Sequence, residues 1–248
     1  MRYYELHEKK YRRLRDRGLE SWDEWLGEAP DFDSFRMREF ATFALDQAAF
    51  AARPPAALEV GCGTGPLCCF LAARGFEVQG IDISPTAIEI AREQARRRGL
   101  AIRYWVADAC RPWPVRERLD LVVDGHFLHC VVFDEERILA LANIREALEP
   151  VGEFWLETAI AHPHMVPPAP CRMDGQGILW VATDDPAGIE TAARFDGVWH
   201  VPVRKLLPGP EAVERELERA GFDIAWKRHR GPEAAGHSAL FQAICVAR

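Results

Sequence analysis

Apolar residues follow two rhythms along the central part of this chain. Strand-like segments occupy 57–60, 76–82, 102–108, 119–124 and 152–157, the fourth of them a nearly continuous apolar run. A run of this kind, bounded by turn residues, reads as a strand buried on both faces. Between the runs, apolar side chains recur every three or four positions, predicting amphipathic helices over 66–74, 85–98 and 134–148. In the second of these, Ala87, Ile88, Ala91 and Ala95 form the apolar stripe. Ser84 caps it, and Pro85 takes the first helical position, where its missing N–H costs nothing. Strand and helix in alternation predict an α/β unit with a mostly parallel sheet and helices on both faces.

The flanks read differently. Tyr4, Tyr11 and Leu14 share one helical face, which Gly18 closes, and Ser21 with Glu24 resembles a capped restart. A further helix within 32–50 carries Phe35, Phe40, Phe43, Ala44 and Phe50, and Pro54-Pro55 stop it. Over 159–197 the punctuation is dense, including Pro163, Pro167, Pro168, Pro170, Gly175, Gly177, Pro186, Gly188 and Gly197. This predicts a long functional loop with one short strand at 178–181. The chain then reads as extended over 198–203 and helical over 211–220. Strands at 222–226 and 239–246, joined across Gly231-Pro232 and Gly236, form an antiparallel hairpin. The expected organisation is an N-terminal helical extension over 1–53 and a main domain over 54–248, with an insertion at 159–197.

Composition narrows the class. The 248 residues are 48% hydrophobic and 28% charged, with a net charge of −7, which is ordinary for a globular domain and argues against a nucleic-acid partner. Residues 9–17 hold six Lys and Arg against one Asp, read either as a solvated helix face or as a basic patch. Seven cysteines without a C-x-x-C pair suit reduced thiols in a cytoplasm. The N-terminus lacks the apolar core of a secretory signal. No apolar run nears transmembrane length, so no membrane partner is expected.

Candidate chemistry concentrates at the strand ends. The first strand runs into Glu59-x-Gly61-x-Gly63-x-Gly65. Glycines reach positive φ and let a ligand lie against bare backbone, and the following helix N-terminus offers free N–H groups. The dinucleotide fingerprint fails, because its third glycine would fall on Pro66 or Cys68. Asp82 closes the next strand 21 residues after Gly61, a spacing at which a carboxylate meets a ribose. Asp108-Ala109 closes the third strand.

Taken in order, these motifs resemble those of the class I S-adenosylmethionine-dependent methyltransferases. The resemblance implies a Rossmann-like seven-stranded, mostly parallel sheet with a C-terminal antiparallel hairpin and an N-terminal helical lid. Tyr4, Tyr11, Trp22, Trp25 and Arg36 are lid candidates. It implies S-adenosylmethionine as cofactor, held by Glu59, Gly61, Gly63, Gly65, Asp82, Ile83, Asp108, Ala109, Asp124 and Gly125. Among these, Asp82 would bind the ribose, Ile83 would lie against the adenine, and Asp108 would bond its amino group. A small-molecule acceptor is expected, with the 159–197 insertion selecting it. The alternatives are methylation of RNA or protein, with the 9–17 run as footprint, and a non-catalytic binder of the cofactor.

His126, His129, Cys130, His162, His164 and Cys171 flank the ends of the fourth and fifth strands. Three roles stand open for them: bracing the loop, general-base work, or zinc ligation. The spacings match no zinc motif, and no metal is expected. The candidate catalytic residues are His126, His129 and Asp124, with Glu157 a further strand-end acid.

Overall fold

The computed structural model describes residues 3–27, 32–50, 54–115, 118–167, 169–186, 188–232 and 237–248. Pro168, Gly236 and the expected boundary at residue 53 lie outside them. A 3-10 turn (Tyr3–Glu5) leads into α1 (Leu6–Asp16), α2 (Trp22–Leu26) and α3 (Arg38–Gln47). The alternating unit follows: β1 (Ala56–Val60), α4 (Pro66–Ala72), β2 (Glu77–Asp82), α5 (Pro85–Arg97), β3 (Ile102–Val106) and β4 (Leu119–Gly125). A second 3-10 turn (Leu128–Cys130), α6 (Asp134–Ala147) and β5 (Leu148–Ala161) complete it. Then come β6 (Cys171–Met173), β7 (Ile178–Ala182), β8 (Ala193–Phe195), β9 (Val198–Lys205), β10 (Leu207–Pro208), α7 (Pro210–Arg219), β11 (Phe222–Arg230) and β12 (Ala239–Ala247).

The main sheet runs β11-β12-β5-β4-β1-β2-β3. The last five strands of that order pair in parallel. β12 lies antiparallel to both its neighbours. The expected seven strands are thus present, and the two-residue β10 adds an eighth against the end of β5. Alternation along the strands divides the core. Ala57, Leu121, Val123 and Trp155 pack on one face with α3, α4 and α5 residues such as Phe40, Leu71 and Ile88. Leu58, Val60, Val122, Phe154 and Leu156 pack on the other with Leu141, Ile144, Val213 and Leu217. Both faces of β4 are covered, which is why that strand reads as a nearly continuous apolar run.

The insertion corrects the loop expectation. Rather than one short strand in irregular chain, it forms a four-stranded antiparallel sheet, β6-β7-β9-β8. The stretch at 198–203, expected merely to be extended, is part of it as β9. Tyr3 ties the N-terminus to this region. Its ring clusters with Val132, Ile178 and Trp180. Its hydroxyl donates to Glu136 at 2.7 Å and accepts from the Val132 N–H at 2.9 Å.

Candidate active site

β1 and β4 are neighbours, and the chain leaves them in opposite directions across the sheet. In an open parallel sheet the crevice beyond such a pair is where a ligand binds. Gly61, Gly63 and Gly65 turn the chain there with φ of +66°, +53° and +84°, a region that L side chains rarely adopt. The space at their bare Cα atoms is used by the chain itself. A Cβ on Gly61 would stand 2.7 Å from Phe127, and one on Gly63 2.7 Å from the Tyr11 hydroxyl. One on Gly65 would meet the Tyr104 hydroxyl.

Beyond the strand ends lies a cleft, partly open to solvent, with a cavity volume of about 110 Å³. Gly61, Asp82, Ile83, Asp108 and Ala109 line it. α1 and the turn before it close the opposite side with Tyr3, Tyr4, His7 and Tyr11. Glu8 holds α1 in place. Its carboxylate accepts from the hydroxyls of Ser84 at 2.6 Å and Thr86 at 2.7 Å, and from Arg12 at 2.7 Å. Burial alone would raise the Glu8 pKa, but these bonds outweigh it and bring it to about 2. Trp22 and Trp25 do not line the cleft: Trp22 backs Tyr11 at 5.9 Å between ring centres, and Trp25 stacks on Trp22. Arg36 is exposed and is not part of the cleft wall.

The cleft's two strand-end carboxylates suit a nucleoside. Asp82 is 7% exposed and accepts from the backbone N–H of Gly63 at 2.9 Å and of Ser84 at 2.8 Å. Each oxygen therefore keeps a lone pair for a hydroxyl donor. Burial pushes its pKa up to about 6 against the pull of those N–H groups. Asp108 accepts from the Cys110 N–H at 2.9 Å and from the Tyr4 hydroxyl at 3.0 Å.

Other acids expected at the ligand brace the backbone instead. Glu59 is buried and accepts from the N–H of Cys68 at 3.0 Å, so it anchors the first turn of α4. Asp124 is fully buried and accepts from the N–H groups of Phe127 and Leu128 at 2.6 and 2.8 Å. Gly125 faces the Met37 sulfur and the Leu67 side chain. His129 is 3% exposed, and its Nδ1 accepts from the Ala159 N–H at 3.2 Å. None of these four lines the cleft.

Burial raises Glu59 to about 8 and Asp124 to about 7, so the native state holds protons there that the unfolded chain has released. Stability from such groups is present at low pH and lost as pH rises through the folded values. His7, pushed down to about 3 mainly by burial, opposes this only below its unfolded value near 6.5. Between pH 6.5 and 8.5 the ligand-free protein should therefore lose on the order of 2 kcal/mol. The urea midpoint at the two pH values measures this loss, which Glu59→Gln should reduce. A flat profile would refute the assignment.

His126 is the candidate base that opens on the cleft. Its φ is +76°, uncommon for a residue other than glycine, and its N–H is tied to the Glu157 carbonyl at 3.0 Å. The His126 Nε2 stands 2.8 Å from Glu157 Oε1. The approach is close but not in line for N–H···O, so these two buried atoms face each other without an aligned hydrogen bond. The other Glu157 oxygen accepts from the Gln242 amide on β12. Burial would raise the Glu157 pKa, but His126 and Gln242 reverse this and hold it below the usual range. A carboxylate behind an imidazole at a cleft wall is the arrangement that orients a general base.

The remaining histidines separate from this pair. His162 meets the His237 carbonyl at 3.1 Å at the surface, and His164 donates its N–H to the His162 ring. Among the described residues no three His, Cys, Asp or Glu side chains are disposed to hold a metal ion. No described helix is long and apolar enough to cross a membrane. Within the basic run, Arg12 pairs with Glu8 and Arg15 with Glu89 at 2.7 Å, and Arg17 lies over the Trp25 ring. Sequence reasoning missed Tyr3, His7 and Cys110 in the cleft wall. The signal for His7 was available, since Tyr4, His7 and Tyr11 follow one another at helical spacing.

A methyltransferase-domain family profile matches residues 57–152. The demethylmenaquinone methyltransferase of Thermus thermophilus is 39% identical over 194 residues, covering 77% of this chain and 82% of that protein. The ribosomal RNA small subunit methyltransferase C of Alcanivorax borkumensis is 33% identical over 107 residues, 42% of this chain. Here the chain spans only 32% of the relative's length. Among solved structures, an S-adenosylmethionine-dependent methyltransferase from Clostridium acetobutylicum shares the fold, with a TM-score of 0.64. That match is 13% identical and covers 91% of this chain and 96% of the other.

Proposed function

The chain belongs to the class I S-adenosylmethionine-dependent methyltransferases, and from that premise we propose that it methylates a nucleophilic oxygen, nitrogen or sulfur of a small molecule. The observation that carries this reading is a shared wall: Gly61, Asp82, Asp108 and His126 open on one cleft. S-adenosylmethionine, when bound, supplies an electrophilic methyl group on a sulfonium centre and is left as S-adenosylhomocysteine. Asp82 accepts hydrogen bonds from the ribose hydroxyls, because an ionised carboxylate is acceptor-only. Asp108, with the Ala109 backbone, takes the adenine amino group, and Ile83 gives the base an apolar surface. Gly61 allows the close approach of the amino-acid part.

His126 accepts the proton that the acceptor atom loses, and Glu157 faces the imidazolium that results. The remaining task is alignment of the acceptor with the methyl group, which positioning supplies. α1 and its preceding turn act as the lid, and the β6–β9 sheet supports that lid through Tyr3. A cleft closed over by a helix favours a small acceptor over a polymer. So does the relative whose name specifies demethylmenaquinone.

Calorimetry and thermal unfolding with S-adenosylhomocysteine test the reading. At a hundredfold excess over Kd the ligand should stabilise the protein by about 2.7 kcal/mol. An absent shift together with absent binding heat would overturn the cofactor site and the function built on it.

A further inference from the structure

Buried cations in this fold are matched with carboxylates. Arg137, 2% exposed, meets Glu216 at 2.6 Å, and Lys205, 6% exposed, meets Asp134 at 3.0 Å. Matching is expected, because removing a charge from water is costly unless a counter-charge replaces the solvent. Two cations near the cleft break the pattern. Lys10 and Arg204 are both partly buried. Among the described residues, neither has a carboxylate within ion-pair reach. Lys10 has only the Trp22 ring, 5.6 Å from its ammonium.

The fold directs both toward one place. Lys10 follows His7 by three residues on α1 and so shares its helix face, and His7 lines the cleft. Arg204 precedes Lys205 on β9, and successive strand residues point to opposite faces. Lys205 reaches Asp134 on α6, so Arg204 faces the other way. β9, which carries Arg204, packs against both 3-10 turns, the one that leads into α1 and the one that ends at Cys130, and Lys10 and Arg204 act on the same groups. Both push His7 down, and both pull against the burial that raises Cys130 and Cys171. Burial and Arg204 together lower the pKa of Lys10 itself. Cys130 lines the cleft beside His126. The result is two partly buried cations, without an ion-pair partner among the described residues, behind the stretch of cleft wall that holds Cys130, a stretch that also feels Asp82 and Asp124; neither cation lines the cleft itself.

We propose that the methyl acceptor carries an oxyanion group, a carboxylate or a phosphate, bound between Lys10 and Arg204 beside His126 and Cys130. The inference rests on the methyl-transfer reading of the cleft and specifies its substrate class. An anion there supplies the counter-charge that the chain itself withholds, and it fixes one end of the acceptor while the nucleophile lies at His126. It also opposes binding of neutral analogues, which would leave two desolvated cations unpaired.

Calorimetry on protein saturated with S-adenosylhomocysteine, titrated with benzoate, phenyl phosphate and neutral benzamide, tests this. One of the two anions should bind at least about tenfold tighter than benzamide, a difference of about 1.4 kcal/mol. The tighter anion identifies the group as carboxylate or phosphate. Arg204→Gln and Lys10→Gln should each erase most of that preference, and Arg204→Lys should keep most of it. Binding of S-adenosylhomocysteine to each variant reports that it is folded. Benzamide binding as well as the anions, neither anion binding, or an unchanged preference in both glutamine variants would overturn the proposal while leaving the cofactor reading intact. Failure of the wild-type protein to bind S-adenosylhomocysteine would instead overturn the methyl-transfer reading on which it rests.

Discussion

His126→Asn is expected to lower kcat by about 10²- to 10⁴-fold, the range that a positioned general base supplies, with the affinity for S-adenosylhomocysteine unchanged. Asparagine is the informative replacement, because it tolerates the left-handed backbone at this position better than alanine does. The loss then reports the missing imidazole rather than a collapsed turn. Glu157→Gln should give a smaller loss in the same parameter, since it leaves the ring in place and removes the charge facing its protonated form. Rapid-quench turnover with the first acceptor found by a cofactor-consumption screen measures both. If His126→Asn turns over like the parent protein, His126 is not the base, and its pairing with Glu157 only braces the turn.

Asp82→Ala should weaken S-adenosylhomocysteine binding by about 10²-fold. Two charge-assisted hydrogen bonds to the ribose, each worth about 1.5–3 kcal/mol, would be lost and partly replaced by water. The wild-type protein should show the same dependence through pH. Burial places the Asp82 pKa at about 6, and the ribose is held by the ionised form. Binding should therefore be full above pH 7 and weaken as pH falls through 6. Asp82→Asn keeps an acceptor for one backbone N–H, but it should bind weakly and lose the pH dependence. Calorimetry between pH 5 and 8 provides the measurement, and equal affinity for Asp82→Ala and wild type would remove the ribose assignment.

The sheet was legible because β1, β2 and β4 are short strands that each lead into a helix. That pattern is local, and it survives without knowledge of what lies across the sheet. The place of Asp82 and Asp108 in the cleft wall was legible for a related reason: the end of a parallel strand has a known outlook. Glu59 and Asp124 show where this reasoning stops. They too sit at or near strand ends, but their oxygens are taken by backbone N–H groups of Cys68, Phe127 and Leu128. Spacing alone does not say which lone pairs the chain keeps for itself. The β6–β9 sheet escaped because two of its strands have only three residues, and Pro and Gly between them mimic a loop. The Lys10 and Arg204 convergence joins residues from opposite ends of the chain, and no local pattern encodes it.

β12 follows every other strand in sequence, yet it lies inside the sheet between β5 and β11. Gln242, on β12, serves the Glu157 carboxylate across 85 residues of chain. During synthesis, β1 to β5 can pair while this strand is still inside the ribosome, leaving the edge of β5 bare and Glu157 half-partnered. On the roles proposed for Asp82 and His126, a chain that stops before β12 would offer a place for the nucleoside without the Gln242 contact that helps to orient the base, and would hold cofactor without consuming it.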